Sequence, residues 1–139
     1  MSGMSVALLL GMGLLLIYDG YGLAAREDNS TRILVQGGIA SWYGREEQGQ
    51  LTANGERFDR HNFTAASRHL PFNTIVRVTN RDNGRSVQVR INDRGPWVHG
   101  RILDLSEAAA DTLDMKKSGT AKVKVEVISP PTAQADNLP

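Results

Sequence analysis

The chain of 139 residues contains no cysteine. This absence excludes a disulfide scaffold, a thiolate zinc site, a cysteine nucleophile and a lipid-modified cysteine. A charge excess is also lacking, because 16 Lys and Arg residues face 15 Asp and Glu residues. Nucleic-acid-binding proteins usually have a basic excess on one face, so the charge balance argues against that class.

Several ligand-binding patterns are missing as well. The sequence has no Gly-rich phosphate loop, no nucleophile elbow and no zinc-binding helix motif. Its three histidines, His61, His69 and His99, lack the spacing of metal ligands, which favours ordinary surface or core positions. We therefore expect neither a metal nor an organic cofactor.

The longest apolar run, residues 6–17, is short. A helix that crosses a bilayer needs about 20 residues, whereas this length suits the hydrophobic part of an export signal. Small residues at Gly22 and Ala24 suit a cleavage site, although no Lys or Arg precedes the run. We predict that residues 1–24 are a signal peptide or hydrophobic leader, with a short membrane-skimming segment as the alternative.

Export predicts a location in the periplasm or cell envelope. The absence of cysteine predicts that no lipid anchor is attached there. We also expect no stable membrane span in the mature form. We predict a linker over residues 25–37 and one globular domain over residues 38–128. The Ser-Pro-Pro sequence at 129–131 ends regular structure, so residues 129–139 are predicted to form a disordered tail. We expect the protein to be a monomer.

Within the domain, apolar residues mostly recur with a period of two. Residues 86–92 and 122–128 alternate in this way, and residues 74–80 are rich in β-branched side chains. The Asn83-Gly84 pair predicts a hairpin between the strands at 74–80 and 86–92. Shorter strands are predicted at 38–44 and 101–105, and one helix is predicted after a Ser106 cap. Short strands with a single helix indicate an all-β, closed barrel.

Three carboxylates lie between these strands, at Glu56, Asp59 and Asp93, and a fourth, Asp104, lies near the end of the strand predicted at 101–105. Partial desolvation raises the pKa of a carboxyl group at the end of an apolar strand, so such a group can act as a general acid. Cleavage of a glycosidic bond needs this kind of acid, often with a second carboxylate nearby. The alternative is structural, because Asp before Arg-Gly-Pro also suits a turn, and Asp104 also suits an acceptor that fixes the entry to the helix.

Two neighbouring aromatic residues, Trp42 and Tyr43, are candidates for stacking on sugar rings. Barrel packing is the alternative for at least one of them, because adjacent strand residues point to opposite faces.

Seven motifs, taken together, resemble the rare lipoprotein A family. They occur in the family's order, cover about residues 38–128 and read SWYG (41–44), TANGERF (52–58), TAA (64–66), LPFNTIVRVTN (70–80), NGRSV (83–87), INDRGP (91–96) and RILDLS (101–106) followed by EAAA. The resemblance implies a six-stranded double-psi β-barrel, similar to the catalytic domains of expansins.

The resemblance also implies a lyase, an endolytic lytic transglycosylase of cell-wall peptidoglycan. Its partners would be glycan strands poor in peptide. Such an enzyme cleaves the bond between N-acetylmuramic acid and N-acetylglucosamine without water, and leaves a 1,6-anhydromuramic end.

Carried over to this sequence, the resemblance implies Asp93 as the catalytic acid/base and Glu56 as the assisting catalytic residue. Asp104 would orient substrate on the floor of the groove. The residues expected to bind substrate are Trp42, Tyr43, Thr52, Asn54, Asp59, Ser67, Arg94 and Asp104.

One departure of this sequence from the family pattern favours a different class of protein. Many relatives have histidine where this chain has Ser67, and serine does not titrate near neutral pH. The alternative function is therefore a non-catalytic, expansin-like module that binds wall polysaccharide. A glycoside hydrolase that uses both Glu56 and Asp93 is a third interpretation.

Overall fold

The computed structural model describes the backbone of residues 23–28 and 31–130, and the side chains of residues 35–130. Residues 1–22 of the predicted leader and residues 131–139 of the predicted tail lie outside the described residues. The elements are β1 (Leu23–Asp28), β2 (Thr31–Tyr43), a 3-10 turn (Arg45–Glu47), β3 (Thr64–Ala66), β4 (Ile75–Asn80), β5 (Ser86–Asp93), β6 (Arg101–Ser106), α1 (Glu107–Thr112) and β7 (Thr120–Ser129).

Six of these strands close into a barrel, in the order β2, β6, β3, β5, β4 and β7, with β7 pairing back onto β2. The pairs β2–β6 and β3–β5 are parallel, and the other pairs are antiparallel. β4 and β5 form the predicted hairpin, whose turn contains Gly84 at φ +77°. The predicted all-β closed barrel with one helix is confirmed for the described part of the chain.

The first strand lies outside this ring. β1 pairs antiparallel with the beginning of β2, from Leu23 opposite Gln36 to Asp28 opposite Thr31. Strand pairing thus occupies much of the segment 25–37, where a linker was predicted. The polar sequence Arg26-Glu27-Asp28 gave no strand signal, so this strand was not predicted. A strand outside the barrel needs backbone pairing but no alternating apolar face.

The barrel interior is filled by the alternating residues that the period of two predicts. Val76 and Val78 on β4 are fully buried, as is Ile91 on β5. The buried cluster continues with Val89, Leu103, Leu105, Val123 and Val125. Burial of these side chains removes apolar surface from water and is the main source of the barrel's stability.

The helix α1 begins as predicted. Ser106 is its N-cap, and its Oγ accepts a hydrogen bond from the Ala109 N–H at 3.4 Å and donates one to the Asn62 carbonyl at 2.6 Å. Ala109 and Ala110 pack onto the barrel core, together with Leu113 just after the helix. The strand that carries Asp104 therefore passes directly into a fixed helix.

Among the described residues, no helix has the length and apolar character needed to cross a membrane.

Candidate active site

A cleft of about 540 Å³ opens on the barrel surface. Its wall combines the end of β2, the end of β5, the beginning and middle of β6 and the loop that follows β5. Lining side chains include Ser41, Trp42, Tyr43, Asp93, Trp97 and Asp104. A volume in the range of about 300–1,000 Å³ is usual for a site that binds a small ligand.

Asp93 ends β5 and faces this cleft, half-buried. Its Oδ1 accepts hydrogen bonds from the backbone N–H groups of Ala53 and Arg94, both at 2.9 Å. Its Oδ2 lies 3.3 Å from the Tyr43 hydroxyl, which donates to it when the carboxylate is ionised. Because two N–H donors already occupy Oδ1, a proton on this carboxyl group belongs on Oδ2.

Tyr43 is held in a fixed, protonated state. Its ring stacks on Phe58 with centroids 4.5 Å apart and an interplanar angle of 21°. Burial raises the pKa of Tyr43 far above its usual value, and the nearby carboxylates of Asp93 and Asp104 raise it further. Tyr43 therefore serves Asp93 as a hydrogen-bonding partner rather than as a second titrating group.

Asp104 is the second carboxylate in the cleft. The register of β2 and β6 sets Asp104 beside Ser41, whose Oγ donates a hydrogen bond to Asp104 Oδ1 at 3.1 Å. Burial raises the pKa of Asp104, and the Glu47 and Asp93 carboxylates add to this, whereas the Ser41 hydrogen bond and Arg101 oppose it. Sequence reasoning missed Ser41, since a lone strand serine carries no chemical signal of its own.

Glu56 lies outside the cleft lining and is paired with Arg90. The guanidinium binds both carboxylate oxygens, with Nη2 2.8 Å from Oε2 and Nη1 against Oε1. These hydrogen bonds are the main reason that the pKa of Glu56 falls to about 2, although desolvation opposes the shift. Glu56 is therefore ionised near neutral pH and carries no proton to donate there.

The turn at 52–56 connects this ion pair to Asp93. Asn54 Oδ1 accepts hydrogen bonds from Thr52 Oγ1 at 2.6 Å and from the Glu56 N–H at 3.1 Å. Asn54 Nδ2 donates to Glu56, and the Asn54 N–H donates to the Asn92 carbonyl at 3.3 Å. The same turn supplies the Ala53 N–H to Asp93. Thr52, Asn54 and Glu56 thus form one network that fixes a donor to Asp93.

Three other residues predicted to bind substrate have partners within the protein. Arg94 lines the cleft, but its guanidinium donates to the Leu70 carbonyl at 2.9 Å and lies 3.9 Å from the Phe72 ring centroid. Ser67 Oγ accepts from the Leu70 N–H at 3.1 Å, and Asp59 Oδ1 accepts from the His61 N–H at 3.0 Å. Ser67 and Asp59 lie outside the cleft lining.

Two tryptophans line the cleft in different environments. Trp42 packs against the barrel core, and the Lys116 ammonium lies over its ring, 5.8 Å from the ring centroid. Trp97, which sequence reasoning missed, is 75% exposed in the loop after β5. Its position directly after the INDRGP motif was the one sequence feature that could have identified it as a cleft residue.

In the described part of the chain, no three acidic or histidine side chains converge as a metal site requires.

The Glu56–Arg90 pair predicts a pH-dependent contribution to stability. Because the pKa of Glu56 is lowered from 4.5 to about 2, this contribution is fully present above pH 4.5 and is lost as the pH falls to about 2. The Glu56 side chain is 39% exposed, so solvent screening reduces the expected loss to about 1 kcal/mol. Urea unfolding at about pH 6 and about pH 2.5 gives the total loss of stability in the wild-type protein, and the difference from Glu56→Gln isolates the contribution of this pair.

Glu56→Gln should lose less stability than the wild-type protein over the same interval, because it has no carboxylate to protonate at this position. Other carboxyl groups titrate in both proteins and cancel in the comparison. Equal losses in the two proteins would contradict the prediction.

Comparison with known proteins relates this barrel to characterised families. The family model described as lytic transglycolase matches residues 35–125. The endolytic peptidoglycan transglycosylase RlpA of Campylobacter jejuni is 56% identical over 91 residues, which are 66% of this chain and 33% of that protein. The Vibrio cholerae protein of the same name is 46% identical over 112 residues, which are 81% of this chain and 43% of that protein. The chain thus spans less than half the length of these relatives.

Solved structures agree on the fold. An expansin of Clavibacter michiganensis superposes with a TM-score of 0.56 at 19% identity, over 70% of this chain and 52% of that one. The Streptomyces papain inhibitor also gives a TM-score of 0.56, at 21% identity, over 68% of this chain and 94% of that one. At such low identity these likenesses concern the fold alone. On the sequence match, the chain belongs to the lytic transglycolase family of double-psi β-barrels, the rare lipoprotein A family that its motifs indicated.

Proposed function

We propose that this protein is an endolytic lytic transglycosylase that cleaves peptide-poor glycan strands of peptidoglycan. The observation that carries the proposal is Asp93, a half-buried carboxylate in the cleft whose Oδ1 is held by two backbone N–H groups. The names of the related RlpA proteins support peptidoglycan as the substrate class.

In the first step, Asp93 acts as general acid. Oδ2 donates its proton to the oxygen that joins N-acetylmuramic acid to N-acetylglucosamine. The bond from that oxygen to the anomeric carbon breaks, and the muramic ring becomes an oxocarbenium-like species. The Ala53 and Arg94 N–H groups and the Tyr43 hydroxyl stabilise the carboxylate that remains.

In the second step, the same carboxylate acts as general base. Asp93 Oδ2 takes the proton from the muramic 6-hydroxyl as its oxygen bonds to the anomeric carbon of the same residue. The products are a 1,6-anhydromuramic end and a free N-acetylglucosamine end, and Asp93 recovers its proton. One carboxyl group thus serves both steps, and no water is consumed.

The other carboxylates have supporting roles in this proposal. Asp104 faces the same cleft and accepts from Ser41, so its remaining acceptor positions are suited to orient substrate hydroxyl or amide groups. Glu56 acts indirectly, because the turn that it fixes with Arg90 holds the Ala53 N–H on Asp93. We further propose that the protein is exported and acts as a monomer in the cell envelope, where its substrate lies.

Product analysis tests the proposed reaction. The purified protein is incubated with peptide-free glycan strands, and the new ends are identified by mass spectrometry. We expect 1,6-anhydro ends, which are lighter by one water than hydrolytic reducing ends. Reducing ends alone would replace the transglycosylase with a hydrolase, and binding without any product would favour the polysaccharide-binding module.

A further inference from the structure

Trp97 is an exposed aromatic side chain in the wall of the cleft. Trp97 is 75% exposed, and the neighbouring Val98 is 51% exposed. Both residues line the cleft, in the loop that begins directly after Asp93. An indole left in water adds little to folding, so a position beside a candidate acid suggests contact with a ligand.

The loop that carries Trp97 is held at both ends. One Arg68 guanidinium nitrogen donates to the Pro96 carbonyl at 2.8 Å and to the Arg101 carbonyl at 2.6 Å. The Arg101 N–H also donates to the Val98 carbonyl at 3.2 Å. These bonds restrict the backbone on either side of the indole, so a ligand that contacts the ring has less loop entropy to overcome.

The indole itself lies close to the backbone of the loop. A β-carbon added at Gly95 would lie 3.7 Å from Trp97 Nε1 and 3.8 Å from Cδ1. Gly95 has φ +128°, a conformation that other residues rarely adopt. The ring thus rests near Gly95, while most of its surface is open to solvent.

The other aromatic residues of the cleft are already engaged. The ring of Tyr43 stacks on Phe58, and its hydroxyl bonds to Asp93. Trp42 packs against the core and approaches Lys116. Of the aromatic side chains that line the cleft in the described part of the chain, Trp97 is the one with a largely open surface.

We propose that Trp97 is a sugar-binding subsite, in which the indole stacks on the apolar face of an N-acetylhexosamine ring of the bound glycan. The exposed C–H groups of a pyranose face complement the electron-rich face of an aromatic ring. Val98 adds apolar surface of the kind that an acetamido methyl group covers. In this proposal, the sugar ring bound at Trp97 is next to the sugar whose glycosidic oxygen Asp93 protonates. The identity of the glycan rests on the proposed function.

Equilibrium binding tests this subsite separately from turnover. Asp93→Asn protein is titrated with peptide-free glycan oligosaccharides, and the dissociation constant is measured by calorimetry. Adding Trp97→Ala to this protein should weaken binding about tenfold, whereas adding Trp97→Phe should weaken it by no more than about threefold, since Phe keeps a stacking face. Unchanged binding in the Trp97→Ala protein, or an equal loss with phenylalanine, would overturn the proposal.

Phe63→Ala in the same background is the matched control. Phe63 is 49% exposed but lies outside the cleft lining. Its removal should leave the dissociation constant unchanged, and a tenfold loss there would overturn the assignment of the effect to the cleft. If the wild-type protein releases no anhydro ends while Trp97→Ala still weakens binding, the proposed reaction fails and the subsite stands. If anhydro ends are released and Trp97→Ala has no effect on binding, the reaction stands and the subsite fails.

Discussion

Asp93→Asn is expected to lower the rate of glycan cleavage by about 10³-fold, within the range that general acid–base catalysis contributes. The amide oxygen of Asn can still accept from the Ala53 and Arg94 N–H groups, so the turn should keep its geometry. Its amide nitrogen would face Tyr43 and cannot transfer a proton to a glycosidic oxygen. The measurement is the initial rate of release of anhydro ends from peptide-free strands.

Asp82→Asn is the matched control for this variant. Asp82 is exposed in the turn between β4 and β5 and lies outside the cleft lining, so its substitution should leave the rate unchanged. Binding of glycan by Asp93→Asn should also persist, because the cleft loses a proton donor and keeps its shape. Retention of cleavage in the Asp93→Asn protein would refute the role of Asp93 and favour a different acid, with Asp104 the nearest candidate by its place in the cleft.

The barrel was predictable because local alternation reports directly on which face of a strand is buried. Val76 and Val78 predicted the inner face of β4, and Val123 and Val125 predicted that of β7, and all four are buried. The helix was predictable from its cap, since serine before a run of alanines has both the capping group and the propensity. β1 was missed because its pairing depends on backbone contacts with β2 that leave no apolar pattern.

The site was predictable in part, for a different reason. Asp93 lies at the end of an alternating strand that Gly-Pro terminates, and such ends are where a rigid barrel presents side chains. The pairing of Glu56 with Arg90 was not predictable, because the two residues are 34 positions apart and meet only through the docking of the turn at 52–56. Trp97 was missed because sequence alone does not distinguish an exposed loop aromatic from one that packs.

Glu56 lies outside the cleft lining and is paired with Arg90, so a substitution of Glu56 tests the turn rather than direct contact with substrate. The Glu56 carboxylate is ionised near neutral pH and hydrogen-bonded to Arg90. These interactions hold the turn at 52–56 in place. The family resemblance alone implied an assisting catalytic residue. We propose a positioning role instead, because the turn that Glu56 helps to fix also supplies the Ala53 N–H to Asp93.

Glu56→Gln is accordingly expected to lower the cleavage rate by about 10²-fold, the cost typical of a misplaced reacting group. The neutral amide leaves the Arg90 guanidinium without its counter-charge and loosens the turn. The glycan dissociation constant should change little, because Glu56 does not line the cleft. Rates and dissociation constants measured on the same preparation separate the two effects.

Arg90→Gln distinguishes positioning from direct contact with substrate. Without Arg90, Glu56 remains ionised near neutral pH, because even its ordinary pKa is 4.5. If an ionised Glu56 acted directly on substrate, Arg90→Gln would keep most of the activity. If the pair acts through the turn, Arg90→Gln should lose about as much as Glu56→Gln, and the double variant should lose little more than either, because both remove the same interaction. Glu126→Gln, which removes the Lys124–Glu126 ion pair on β7, should leave the rate unchanged.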